Sequence, residues 1–213
     1  LSIDPQGRVH TFCCAVPGAW HVMGVTLAAG QSLKWYRDNF CDADKVEADK
    51  QGVDPYDLMT AEAAKTPIGS NRLIYLPYLM GERTPHLDPD CRGAFVGLSG
   101  MHTRYDLVRA VMEGVTFSLR DCAEILRGMG VQSDVILACG GGGSSAFWRQ
   151  MMADILGCPV ATTISKEGPA LGVAILAGVG AGLYPSVPEA CRKTVGVNLS
   201  LIHISEHTRL GMI

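Results

Sequence analysis

The sequence has no C-x-x-C pair, no long basic run and no uninterrupted apolar stretch of membrane-spanning length. Eight cysteines are present, at positions 13, 14, 41, 91, 122, 139, 158 and 191, but they are scattered. That suits reduced thiols in a cytoplasmic enzyme better than a disulfide framework. A net charge of −3 without basic clusters argues against a nucleic-acid or anionic-membrane partner. The opening, LSIDPQGRVH, does not read as a signal peptide. Charged residues make up only 18% and hydrophobic ones 47%, so the chain is expected to fold. Its 213 residues allow one large or two small domains with a substantial core.

What is present is organised around residues 135–157, VILACGGGGSSAFWRQMMADILG. Val135–Cys139 is a short apolar run of buried-strand type. Gly140 to Gly143 follow, where the backbone can turn sharply or approach a ligand closely. Ser144 and Ser145 are N-cap candidates. Phe147, Trp148, Met151, Met152, Ile155 and Leu156 then recur at helical spacing, up to a terminating Gly157. A strand, a glycine turn and a capped helix can present backbone N–H groups to a nucleotide. Gly141, Gly143 and Ala146 also satisfy the dinucleotide pattern G-x-G-x-x-A, with Glu167 as a candidate ribose acid. The residues alone leave three readings open: a mere connecting turn, an NAD site or an ATP site.

Before this unit, Val9–Met23 reads as a hairpin at a sheet edge. Its His10, Cys13, Cys14 and His21 fit no standard zinc spacing. Residues 24–40 read as a helix with Gly30 inside it, a position that marks either helix packing or a ligand's approach. Residues 42–66 are polar and read as a surface excursion with a helix over 56–65. LIYLPYL (73–79) holds a strand. The stretch 81–98 has no helical period and reads as a long functional loop. There Glu82, Arg83 and His86 are catalytic candidates, or Glu82 and Arg83 form an internal ion pair. Tyr105–Met129 is the strongest helix, with Leu107, Val108, Val111, Val115, Leu119, Cys122 and Leu126 on one face. After the glycine unit, Pro159–Ile164 completes a βαβ unit. Residues 167–186 then give a small-residue helix suited to packing on a sheet, and 186–195 one more short helix.

Several stretches together resemble one family, the FGGY carbohydrate kinases, and within it the xylulokinases. They are HTFCCAVPGAWHVMG (10–24), AAGQSLKWYRD (28–38), LPYLMGERTPHLDPDCRGAFVGL (76–98), CGGGGSSAFWRQMMADILG (139–157) and EGPALGVAILAGVGAG (167–182). The run from Gly93 to Glu113 fits the family's C-terminal signature. Five motifs in one order set the NAD reading aside. The resemblance implies an α/β fold, the ribonuclease-H-like or actin-like ATPase domain with a mixed sheet flanked by helices, as the second domain of a two-domain sugar kinase. Residues 1–197 would be that nucleotide-binding domain, without the first domain. Residues 198–213 look like translated read-through of a sequencing adapter and are expected to be loosely attached. Cys14 stands where the family usually has histidine.

The implied reaction moves the γ-phosphoryl of ATP, with Mg²⁺, to the 5-hydroxyl of a ketopentose, D-xylulose first among them. Other sugars, polyols or sugar acids are the alternative, as is a non-catalytic nucleotide-binding module. The family's catalytic aspartate lies in the domain not contained here, so no aspartate of this chain is assigned that role. By motif position, Gly140, Gly141 and Gly142 would lie under the adenosine, Ser145 would contact the adenine side, and Gly30 and Lys34 would face the phosphates or ribose. The partners implied are a sugar and ATP, with no nucleic acid or membrane; a homodimer of the full-length enzyme is compatible with the resemblance.

Overall fold

A computed structural model describes residues 3–165, 168–202 and 205. In chain order the elements are β1 (His10–Cys13), β2 (Trp20–Met23), α1 (Ala29–Phe40), α2 (Asp42–Gln51), α3 (Pro55–Ala63), β3 (Ile74–Leu76), β4 (Ala94–Val96), α4 (Arg104–Gly128), β5 (Ile136–Ala138), α5 (Gly140–Ser144), α6 (Ala146–Leu156), β6 (Val160–Thr163), α7 (Gly168–Gly180), α8 (Val187–Thr194) and β7 (Val197–Ile202). They fall into two compact units. Unit 1 comprises Gly24–Gln132 with the segment ending at Val9; unit 2 comprises His10–Met23 and the chain from Ser133 onward.

Unit 1 is built on α4. Thr103 and Asp106 start the helix with a reciprocal capping box, in which each side chain accepts from the other's backbone N–H. Burial in α4 does not follow a single face: every residue from Val108 to Thr116 is buried. Arg109 and Glu113 are buried with the apolar residues because they pair with each other, Nε to Oε1 at 2.7 Å. Gly114 lets α4 lie directly on β3, since a Cβ there would run into the carbonyl oxygen of Tyr75. The segment read as a long loop contributes β4, which pairs antiparallel with β3, Ile74 opposite Val96. The polar excursion is two helices: α2, which has no apolar stripe and ends on left-handed Gly52, and α3, capped by Asp54.

Unit 2 holds a three-stranded sheet in the order β5-β6-β7. β5 and β6 run parallel, joined through α5 and α6 as the βαβ reading requires. Ser145 caps α6, its Oγ accepting from the Trp148 N–H at 3.3 Å, and Gly157 closes the helix at φ 63°. Ala138, Ala153 and Val160 form the core between sheet and helix. The hairpin β1–β2 is a two-stranded sheet of its own, not the edge of a larger one. The small-residue helix α7, expected to pack on a sheet, buries only Ile175 and Gly178. Residues 198–202 belong to β7, which pairs antiparallel with β6. Ser205 donates its N–H to Asp154 at 2.7 Å. Residues 206–213, and Glu167, lie outside the described residues.

Candidate functional site

Because β5 and β6 are parallel, their C-terminal ends open on one side, the place where open α/β sheets take ligands. Unit 2 has a cavity of about 630 Å³ there, a size typical of small-molecule sites, roughly 300–1,000 Å³. Ala138 and Cys139 line it from the end of β5, and Gly140, Gly141, Gly143 and Ser144 from α5. Thr162 and Thr163, at the end of β6, line it too, with Ile164 and Ser165 just beyond. Arg149 and Asn198 complete the lining. The wall therefore offers backbone, hydroxyls, a thiol and an amide beside the apolar Ala138 and Ile164, with one guanidinium and no carboxylate among the described residues.

The four glycines are placed differently. Instead of an open turn they form the helical turn α5. Gly140 has φ +73°, which a side chain would strain. At Gly143 a Cβ would sit 2.9 Å from the Ala138 carbonyl carbon, so this glycine is needed for α5 to rest on β5. Gly142 is not in the cavity lining; a Cβ there would touch the Trp148 ring at 3.4 Å. Gly141 differs from all three. Its φ is not positive, and a Cβ there would meet nothing within 4 Å. Folding places no demand for glycine at 141; the open space before it would suit the close approach of a ligand.

An all-glycine turn opposes its own helicity by about 1 kcal/mol per residue relative to alanine. Its neighbours hold it. Ser144 Oγ donates to the Gly140 carbonyl at 3.3 Å, and Arg149 Nη1 donates to the carbonyls of Gly143 and Ser144 at 2.6 and 3.0 Å. Ser145, expected on the adenine side, does not line the cavity, because its hydroxyl is used to cap α6. Ser144 takes the cavity position instead.

Gly30 and Lys34 belong to unit 1, in the first two turns of α1. Gly30 is exposed with nothing within 4 Å of a Cβ. Lys34 is exposed and paired with Asp38 at 2.6 Å, an ordinary i,i+4 surface contact. In the 81–98 segment, Glu82 is buried and anchors the approach to α1. Its carboxylate accepts from the Thr26 hydroxyl at 2.6 Å and the Leu27 N–H at 2.9 Å. Arg83 reaches it through its backbone N–H at 2.8 Å. His86 Nε2 lies 2.8 Å from the Tyr78 hydroxyl.

Sequence reasoning missed Arg149, Thr162, Thr163, Ser165 and Asn198. Parallel pairing of β5 and β6 was readable; that β7 returns beside β6 and carries Asn198 to the same end was not.

Among the described residues no three His, Cys, Asp or Glu side chains converge as a metal site, so none is assigned to Mg²⁺. On the hairpin, Cys14 Sγ lies 3.5 Å from His21 Nδ1, and the His21 ring stacks on Phe12. Among the described residues no helix is long and apolar enough to cross a membrane.

The thiols sort by burial. Cys139, on the cavity wall, and Cys13 are exposed; Cys41, Cys122 and Cys158 are buried. Burial pushes the Cys122 thiol up to about 12 and the Cys41 thiol up to about 11. Limited iodoacetamide treatment at pH 8 is expected to alkylate Cys13 and Cys139 and to spare the buried three until denaturant is added. Peptide mass spectrometry reads the result, and early modification of Cys122 would contradict this packing.

A family model for the FGGY family of carbohydrate kinases, C-terminal domain, matches residues 2–181. The chain belongs to this family. A xylulose kinase of Staphylococcus epidermidis is 42% identical over 186 residues, which cover 87% of this chain and 35% of the relative. A gluconokinase of Bacillus subtilis is 38% identical over 183 residues, covering 85% and 34%. Among solved structures, a ligand-bound xylulose kinase from Lactobacillus acidophilus superposes with a TM-score of 0.83 at 30% identity, over 99% of this chain and 40% of that one. The FGGY chain thus spans about a third of the length of the curated relatives it matches. Its fold is the actin-like ATPase fold of these sugar kinases.

Proposed function

We propose that this chain supplies the adenosine-binding half of an ATP-dependent sugar kinase whose acceptor is a ketopentose, D-xylulose to D-xylulose 5-phosphate. The observation that carries the reading is Gly141: a glycine not required by backbone angle or packing, on the wall of a cavity at the C-terminal ends of β5 and β6. The residues present suit a nucleoside. Gly140 and Gly141 leave room for close approach, while Ser144, Thr162 and Ser165 bring hydroxyl groups to the wall. ATP, when bound, supplies the phosphoryl group that is transferred. The residues of this chain bind and orient; they are not assigned to proton removal from the sugar hydroxyl. That step needs a carboxylate, which we place in the remaining length that the relatives have. Gly30 and Lys34 are proposed to face the phosphates or ribose.

Similarity to a gluconokinase favours a second reading, an FGGY kinase for a sugar acid. The test is ATP consumption by the complete protein against D-xylulose, D-gluconate and glycerol. We expect D-xylulose to give the highest kcat/KM. Preference for gluconate would support the second reading, and no sugar-dependent ATP consumption would contradict both.

A further inference from the structure

We propose that Arg149 is a positioning residue for the nucleotide seat, holding the glycine turn α5 in the shape that the ligand meets. This rests on the reading of the cavity just given and adds the residue that keeps it formed. Glycine has more backbone freedom to lose than any other residue. A five-residue helix is too short to persist unaided, and its last carbonyls have no partners within the turn. Arg149 supplies them. Its Nη1 donates to Gly143 O at 2.6 Å and to Ser144 O at 3.0 Å, and a cation is favoured at a helix C-terminus. The backbone of Arg149 is itself fixed, its N–H bonded to Ser145 O at 3.0 Å in the first turn of α6. That same turn brings the Trp148 ring against Gly142. One capped helical turn thus holds α5 from its carbonyl end and from its ring-facing side. Neither contact consumes Gly140 or Gly141, which stay open to the cavity.

If the turn is only part-formed without Arg149, the apparent ATP affinity falls by the fraction that is competent. In the complete protein, Arg149→Met is expected to raise the ATP KM about tenfold, leaving the sugar KM and the kcat at saturating ATP within about twofold. Without ATP, amide hydrogen exchange at residues 140–144 should speed up while exchange in α4 is unchanged. Arg149→Lys keeps the charge but lacks the planar guanidinium, and should raise the ATP KM by about threefold. It also carries the test if Arg149→Met does not fold. A folded variant with faster exchange and wild-type ATP KM would reduce Arg149 to a structural role and overturn the proposal, as would unchanged exchange. Gly141→Val separates the two levels. If it raises the ATP KM and neither Arg149 variant does, the Arg149 proposal fails alone; if none of the three does, the reading of the cavity fails with it.

Discussion

Glu113→Ala should destabilise unit 1 by about 3–5 kcal/mol, the cost of removing one partner from a buried ion pair. The Glu113 carboxylate accepts from Arg109 Nε at 2.7 Å, Ser70 Oγ at 2.9 Å and the Gly69 N–H at 3.1 Å. Both charged side chains are only 8% exposed, so alanine would strand the guanidinium away from water. Arg109 also donates to the Thr66 carbonyl at 2.7 Å. Together the pair clasps the 66–72 turn, where Ser70, Asn71 and Arg72 all have left-handed φ of 48°, 54° and 71°. Three such non-glycine residues in a row are strained and need the surroundings to hold them. A loss of that size is a large share of a typical stability of about 5–15 kcal/mol. Chemical denaturation followed by circular dichroism would measure it. A loss within about 1 kcal/mol, the range of an exposed pair, would show that the clasp is solvated.

Gly141→Val should raise the ATP KM at least about tenfold, equivalent to about 1.4 kcal/mol, with the sugar KM little changed. The expectation follows from where a side chain would go. At Gly141, on the cavity wall, a Cβ would meet nothing within 4 Å. Folding should therefore tolerate valine, whose helix propensity is no worse than that of the glycine it replaces. Gly143→Val is the contrasting control. Its Cβ would be pressed into the Ala138 carbonyl, so the damage should fall on stability. Separate effects at two glycines two residues apart would distinguish a ligand-facing position from a packing position. Steady-state kinetics of the complete protein, with thermal unfolding alongside, reads both.

Much of this arrangement was legible in the sequence. The apolar run 135–139, the Ser145 cap and Gly157 specify strand and helix locally, although the strand spans only Ile136–Ala138 with Leu137 exposed, and the glycines between them are helical where an open turn was expected. Locality is also where the reading stopped. Periodicity assigned α4 one apolar face, yet Arg109, Glu113 and Thr116 are buried too: groups of the 66–70 turn satisfy the first two, and Thr116 donates to the Met112 carbonyl one turn back. α2 carries no apolar stripe and gave no pattern to find. β4 is three residues long and exists through its pairing with β3. Within the site, four consecutive glycines look equivalent in sequence. The packing of Ala138 against Gly143 and of Trp148 against Gly142, and the positive φ of Gly140, separate them. Ser144 and Ser145 were interchangeable as caps; the start of α6 decided between them, leaving Ser144 to the cavity. Asn198 depended on where β7 pairs, which no local pattern states.

The most direct measurement is amide hydrogen exchange of the complete protein with and without saturating ATP. A nucleotide seated in the cavity should slow exchange at residues 138–144 and 162–165 and leave the β1–β2 hairpin unchanged. Exchange at both stretches identical with and without the nucleotide, under conditions where ATP is bound, would contradict the assignment.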